Sequence, residues 1–168
     1  MTVIVKNQLP QQLAREMFDF DYESNRQIWK TKKTGHVAGY YEHDQSYRIW
    51  IEGIRYKHTN VVWNYFFGPI PAGKTVDHID TNPYNDDPRN LRLSTPAEQA
   101  FNRRRIKKTK YNLPKHIRFN KTCKIRPYIV EIRAYGKRYL NYFPTLEEAL
   151  EDRNVKVREL HGEFANLD

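Results

Sequence analysis

The stretch VDHIDTNPYNDDPRNLRLSTPAEQAFNRR, residues 76–104, decides how the chain is read. It opens on an extended segment that ends in Asp77-His78, passes through a run of Asp, Asn and Pro, and becomes extended again at Asn90-Leu91-Arg92. Asp and Asn favour turns because their side chains bond nearby backbone groups, and ordered polar loops often carry function. Thr95 then stands as an N-cap, with Pro96 at the first helical position and Glu98 placed to close a capping box. A helix is predicted to start at Pro96 and to run on into Arg103-Arg104-Arg105-Ile106-Lys107-Lys108.

Strand, Asn-rich turn, strand and capped helix in this order resemble the HNH endonuclease family. The segment GYYEHDQSYRIWIEGIRYKHTNVVWNYFFGPIPAGKTVDHID, residues 39–80, also looks like the leader of phage and intron-borne members, and the likeness covers residues 29–105. Hydrolysis of a phosphodiester needs an activated water, a counter-charge and an acid for the leaving oxygen. One divalent ion supplies the last two, while a histidine takes the proton from water. His78 is the candidate base, since imidazole accepts protons at physiological pH, and Asp77 is the first candidate metal ligand. In extended structure the two side chains would point to opposite faces, so a local kink is expected.

The resemblance implies that Asn90 braces the loop through its backbone. It also places Gln99 where an Asn or His normally holds the metal, which is a departure from the family pattern. Asn102, three residues on and on the same helical face, is the alternative ligand. Oxygen ligands with the histidine kept as base favour a hard ion, Mg²⁺ first and Mn²⁺ as its substitute, over zinc. Asp80, Asn82 and Asn85 read as turn formers, and His58, at a position often histidine in the family, as a buried structural residue. His36, His43, His116 and His161 carry no motif spacing.

Upstream, Tyr47–Ile51 and residues 54–56 read as a hairpin split by Glu52-Gly53, and residues 61–67 as a short helix ended by Gly68-Pro69, with Trp63, Phe66 and Phe67 in the core. Downstream, strands are expected near residues 116–120, 127–134 and 137–143, with Tyr135-Gly136 as the last turn. A helix capped by Thr145 and Glu148 should bury Leu146, Ala149, Leu150, Val157 and Leu160 and end at Gly162. Residues 113–165 resemble the plant ethylene-response-factor (APETALA-type) DNA-binding domain: LPKHIRFNK, PYIVEIR and GKRYLNYF match its strands and PTLEEALEDRNVKVRELHGEF its helix. His116 and Asn141 replace glycines common there. Period-two alternation sets Glu131 and Arg133 opposite Val130 and Ile132, and the resemblance implies a DNA-facing set of Arg118, Glu131, Arg133, Lys137 and Tyr139.

The chain of 168 residues has a net charge of +9, and residues 103–144 hold fourteen of its 29 basic and one of its 20 acidic side chains. So concentrated a field fits the phosphates of double-stranded DNA and predicts steep salt dependence. Arg103, Arg104, Arg105, Lys107 and Lys108 are candidate phosphate clamps. Cys123 is the only cysteine, which excludes an internal disulfide and suits a reducing cytosol, with no disulfide-linked partner. No apolar run approaches membrane-spanning length and no signal peptide is evident, so a cytoplasmic protein is expected, in a bacterial host cell if phage-encoded, and as a monomer.

The expected fold is α+β: an N-terminal β-hairpin region leading into a ββα-metal HNH module (residues 1–105, core about 75–105), a basic linker (106–113), and a three-stranded antiparallel sheet packed on one helix (114–168). The expected function is a metal-dependent homing or phage endonuclease cutting double-stranded DNA. The alternatives are a DNA-binding regulator with a decayed HNH site and an RNA-binding module, for which no stacking signature is evident.

Overall fold

Glu52 and Gly53 both adopt left-handed backbone angles, φ 48° and 79°, giving a two-residue turn whose twist matches its strands. It joins β4 (Tyr47–Ile51) to β5 (Ile54–Lys57) and pairs Ile51 with Ile54. The short β3 (Tyr40–Tyr41) lies on the other side of β4, giving the order β3-β4-β5. Ahead of it, α1 (Gln11–Met17) leads into a separate hairpin of β1 (Phe18–Asp21) and β2 (Arg26–Trp29). The structure is a computed structural model and describes residues 8–30, 36–42, 46–103 and 111–167.

α2 (His58–Phe67) follows β5 directly and stops at Gly68, whose φ of 92° favours glycine. It starts earlier than the sequence predicts, so that His58 is its first residue. Val61 packs with Leu9, Phe18, Ile49 and Ile51, while Val62 packs with Ile70, Val76 and Leu91. α2 thus ties two small cores together. Trp63 and Phe66 join the second core as expected. Phe67 does not, and at 54% exposed it ends the helix on the outer side of Trp63.

β6 (Thr75–His78) and β7 (Leu91–Ser94) form an antiparallel pair, with a 3₁₀ turn (Pro88–Asn90) leading into β7. Val76 and Leu91 face the core from this ribbon.

The chain divides into two compact units, Met1–Pro96 and Ala97–Asp168. α3 (Pro96–Asn102) starts where the sequence places it but ends at Asn102 instead of running into the basic stretch. Lys115 Nζ donates to the carbonyls of Phe101 and Arg103 (2.7 and 2.9 Å), which ends the helix on a positive charge. Arg104, Arg105, Lys107 and Lys108 lie outside the described residues.

In the second unit β8 (Ile117–Phe119), β9 (Tyr128–Ala134) and β10 (Lys137–Phe143) form an antiparallel sheet of order β10-β9-β8. Tyr135 and Gly136 turn the last pair with φ of 50° and 77°. α4 (Leu146–His161) is capped by Thr145, whose hydroxyl accepts from the Glu148 amide at 3.2 Å. Its Ala149 and Val157 pack against Ile117, Val130 and Ile132, flanked by Leu146, Leu150 and Leu160. His116 has φ 69°, a left-handed conformation that favours glycine. The observed α+β architecture is the one the sequence predicts. No helix among the described residues is long and apolar enough to cross a membrane.

Candidate active site

The loop between β6 and β7 is held by its own side chains. Asp80 accepts from the Asn82 amide (2.8 Å), Asn82 from the Tyr84 amide (3.1 Å) and Asn85 from the Asp87 amide (3.3 Å). Asp87 accepts from the Arg89 amide and caps the 3₁₀ turn. These are the local bonds that make Asp and Asn turn formers. Asn90 closes the loop: its Nδ2 donates to the Asn85 carbonyl (2.8 Å) and to Asp80 Oδ1 (2.9 Å), and its Oδ1 accepts from the Asp80 amide (3.1 Å). Its own carbonyl accepts from the Ile79 amide at 2.8 Å, which fixes the residue after His78.

Asp77 and His78 occupy the last two positions of β6, so their side chains leave the strand on opposite sides. Asp77 is opposite Arg92 on β7 and accepts from its guanidinium through Oδ2 at 3.3 and 3.4 Å. That is longer than a tight charge-assisted bond. His78 instead turns its Nε2 onto Asp86 Oδ1, at 2.8 Å.

Asp86 is the buried centre of this region, 1% exposed. His58 Nδ1 lies 2.5 Å from its Oδ2, Thr59 Oγ1 donates to its Oδ1 at 2.9 Å, and the Arg26 guanidinium stands 3.8 Å away. His58 and Thr59 are the first two residues of α2, where the helix dipole favours an anion. Burial alone would raise the Asp86 carboxyl, but the bonds from His58 and His78 outweigh it and hold the group well below the ordinary carboxylate range. Burial in turn pushes His58 down against the pull of Asp86, so it stays neutral. Lys57 is likewise lowered, first by burial, and feels the negative charges of both Asp86 and Asp77.

Gln99 and Asn102 both lie on α3, in the second unit. Gln99 is half-buried, whereas Asn102 is 5% exposed and its carbonyl accepts from Asn166 Nδ2 at 2.6 Å. Arg103 is exposed and its carbonyl accepts from Lys115. Among the described residues no three His, Cys, Asp or Glu side chains form a metal cage.

On the sheet, Glu131 gathers guanidinium groups on the face away from α4: Arg133 Nη2 at 2.9 Å, Arg138 Nε at 3.0 Å, and Arg118. Lys137 and Tyr139 have the opposite parity from the one expected. Tyr139 pairs with buried Ile132, packs on the helix side and donates its hydroxyl to Asp152 at 2.6 Å. Arg138, outside the expected set, takes its place because it pairs with Arg133. The two-residue turn, which sets Ala134 opposite Lys137, was a legible signal for this. Asp86 carried no such signal, since it sits in a run that reads only as a turn.

Asp77 and His78 thus end a strand beside a loop braced by Asn90. A family profile described as HNH endonuclease matches residues 55–101. The chain is 36% identical over 106 residues to Protein 3.8 of Escherichia phage T7, spanning 63% of this chain and 85% of that protein. It is also 36% identical over 98 residues to a protein of Acanthamoeba polyphaga mimivirus named as an uncharacterized HNH endonuclease, spanning 58% of this chain and about half (49%) of that one. No solved structure matches the chain. The chain belongs to the HNH endonuclease family and is a nuclease acting on DNA.

Proposed function

We propose that the protein is a divalent-metal-dependent endonuclease of phage or homing type that hydrolyses phosphodiester bonds in double-stranded DNA, with His78 as general base. The observation that carries this reading is the position of Asp77 and His78, consecutive at the end of β6, beside the Asn90-braced loop and inside the matched segment. His78 takes the proton of the attacking water, and Asn90 keeps the backbone after His78 in place. General-base help of this kind is worth about 10²- to 10⁴-fold in rate.

The ligand types expected from the sequence suit a hard cation. Asp77 offers a carboxylate whose bond to Arg92 is long, and Gln99 or Asn102 offers an amide oxygen. One or two protein oxygens completed by water and phosphate is the way Mg²⁺ is usually held, and Mn²⁺ accepts the same ligands. When bound, the ion supplies charge stabilisation at the phosphate and the 3′ leaving oxygen. We favour Gln99 as the amide, because the matched segment includes it and stops before Asn102, which is buried.

Residues 114–168 we read as the duplex-holding module, of ethylene-response-factor type. Its support is the three-stranded sheet backed by α4 and the arginines displayed around Glu131. Arg118, Arg133 and Arg138 would meet phosphates or guanine edges, with Arg103 and the basic stretch to Lys108 adding phosphate contacts. This divides the work between cutting in residues 1–105 and holding in residues 114–168, joined by a basic linker. The T7 relative supports a phage-encoded enzyme in the host cytoplasm, and we take it to act as a monomer.

Plasmid incubated with purified protein should be nicked or cut with Mg²⁺ and left intact with EDTA. His78→Ala should bind duplex DNA and fail to cut it. Unchanged cutting by His78→Ala would remove His78 from the mechanism, and cutting in EDTA would remove the metal.

A further inference from the structure

We propose that Asp86, backed by His58, is a positioning residue that fixes which ring nitrogen of His78 acts as the base. This rests on the reading of His78 as general base.

Among the described residues, the neighbours of the Asp86 carboxylate are all donors: Thr59 Oγ1 at 2.9 Å, His58 Nδ1 at 2.5 Å, His78 Nε2 at 2.8 Å, and the Arg26 guanidinium at 3.8 Å. An ionised carboxylate only accepts hydrogen bonds. The His78 nitrogen that faces it therefore carries the proton, and the lone pair is left on Nδ1. The same logic puts the proton of His58 on Nδ1. Among the described residues its buried Nε2 has no hydrogen-bond partner, and there an acceptor is less costly than a stranded N–H.

His58 does not compete as the base, because it is 0% exposed. Its part is to hold Asp86 from the start of α2. When His78 takes the proton of water on Nδ1, the Nε2 proton stays on the ring and Asp86 stays ionised. The imidazolium thus forms beside a fixed negative charge, and no proton passes to the carboxylate. This is the division of labour known for the histidine and aspartate of serine hydrolases.

The isosteric Asp86→Asn change is the sharpest test. An amide has one accepting oxygen and must turn its NH₂ toward one of these donors. Where that neighbour is His78, Nε2 becomes an acceptor and the proton moves to Nδ1. We expect kcat on duplex DNA with Mg²⁺ to fall on the order of 10²- to 10⁴-fold, with duplex affinity in EDTA unchanged within about twofold. Nitrogen-15 NMR of the imidazoles at alkaline pH should show His78 protonated at Nε2 in the unaltered protein and shifted toward Nδ1 in Asp86→Asn. Asn at position 58 keeps a donor near the Nδ1 position, so His58→Asn should cut at least about tenfold faster than His58→Leu.

Finding His78 protonated at Nδ1 in the unaltered protein overturns the proposal, and that measurement needs no variant to fold. So does an Asp86→Asn enzyme with normal kcat, or equal cutting by the two His58 variants. If His78→Ala itself cuts normally, the underlying reading has failed. If His78→Ala is dead while Asp86→Asn is fully active, only the positioning role has failed.

Discussion

Phe101 on α3 lies flat against His161 at the end of α4, with ring centroids 4.1 Å apart and planes 2° from parallel. Tyr135 packs edge-on against the same Phe101 ring, and its hydroxyl donates to Glu98 at 3.4 Å. With Lys115 on its last carbonyls and Asn166 on Asn102, α3 is gripped from several directions by the second unit. The helix that carries Gln99 owes its place to residues outside the matched segment.

Lys115→Met should therefore loosen α3. Hydrogen bonds from a half-exposed ammonium to helix-end carbonyls are worth about 1–2 kcal/mol together, and urea unfolding should show a loss of that size. If Gln99 is a metal ligand, the same variant should need more Mg²⁺ for half-maximal cutting. An unchanged unfolding midpoint would show that the Lys115 contacts do not hold the helix.

Asp77→Asn keeps an oxygen at the proposed metal position but removes its charge. The Mg²⁺ concentration for half-maximal cutting should rise on the order of tenfold or more, while duplex binding in EDTA stays the same. Identical Mg²⁺ titrations for the two proteins would rule out Asp77 as a ligand.

Acid should destabilise the chain in two stages. Burial, with Lys115 and His161 nearby, pushes His116 from 6.5 down to about 4, and burial lowers His161 and His58 as well. Above pH 6.5 these histidines are neutral in both states and contribute no slope. Between about pH 6.5 and 4 the unfolded chain binds protons that the folded chain refuses, so stability falls with pH. Asp86 acts lower: its contribution is intact above its ordinary value of 3.8 and is lost as pH falls below it. His116→Asn, which suits the left-handed backbone at that position, should lose less stability than the unaltered protein between pH 7.5 and 4.5. Parallel curves for the two would show that His116 does not contribute.

Arg133→Ala should weaken duplex binding and reduce the slope of log affinity against log salt by about one. Glu131→Gln should do the reverse, because it frees Arg118, Arg133 and Arg138 from their shared counter-charge. Non-specific binding should then tighten. Filter binding across a salt series reads both effects, and an unchanged slope in Arg133→Ala would exclude it from phosphate contact.

Much of this protein was legible in its residues. Glu52-Gly53 and Tyr135-Gly136 specify two-residue turns, Thr145 and Glu148 specify a cap, and the alternation around Val130 and Ile132 fixes the inner face of a strand. Each depends on neighbours a few positions apart, where chain connectivity alone sets the geometry. The Asp77-His78 pair and the Asn-rich loop stood out for the same reason.

Tertiary structure decided the rest. His58 and Asp86 are 28 residues apart in sequence, and they meet only because α2 and the β6–β7 loop are packed so that the helix start faces the loop. Phe101 and His161 are brought together by the folding of the second unit around α3. Spacing along a chain does not encode such meetings, because they depend on how the cores between the elements fill. Asp86 was therefore one more turn residue until folding surrounded it with donors.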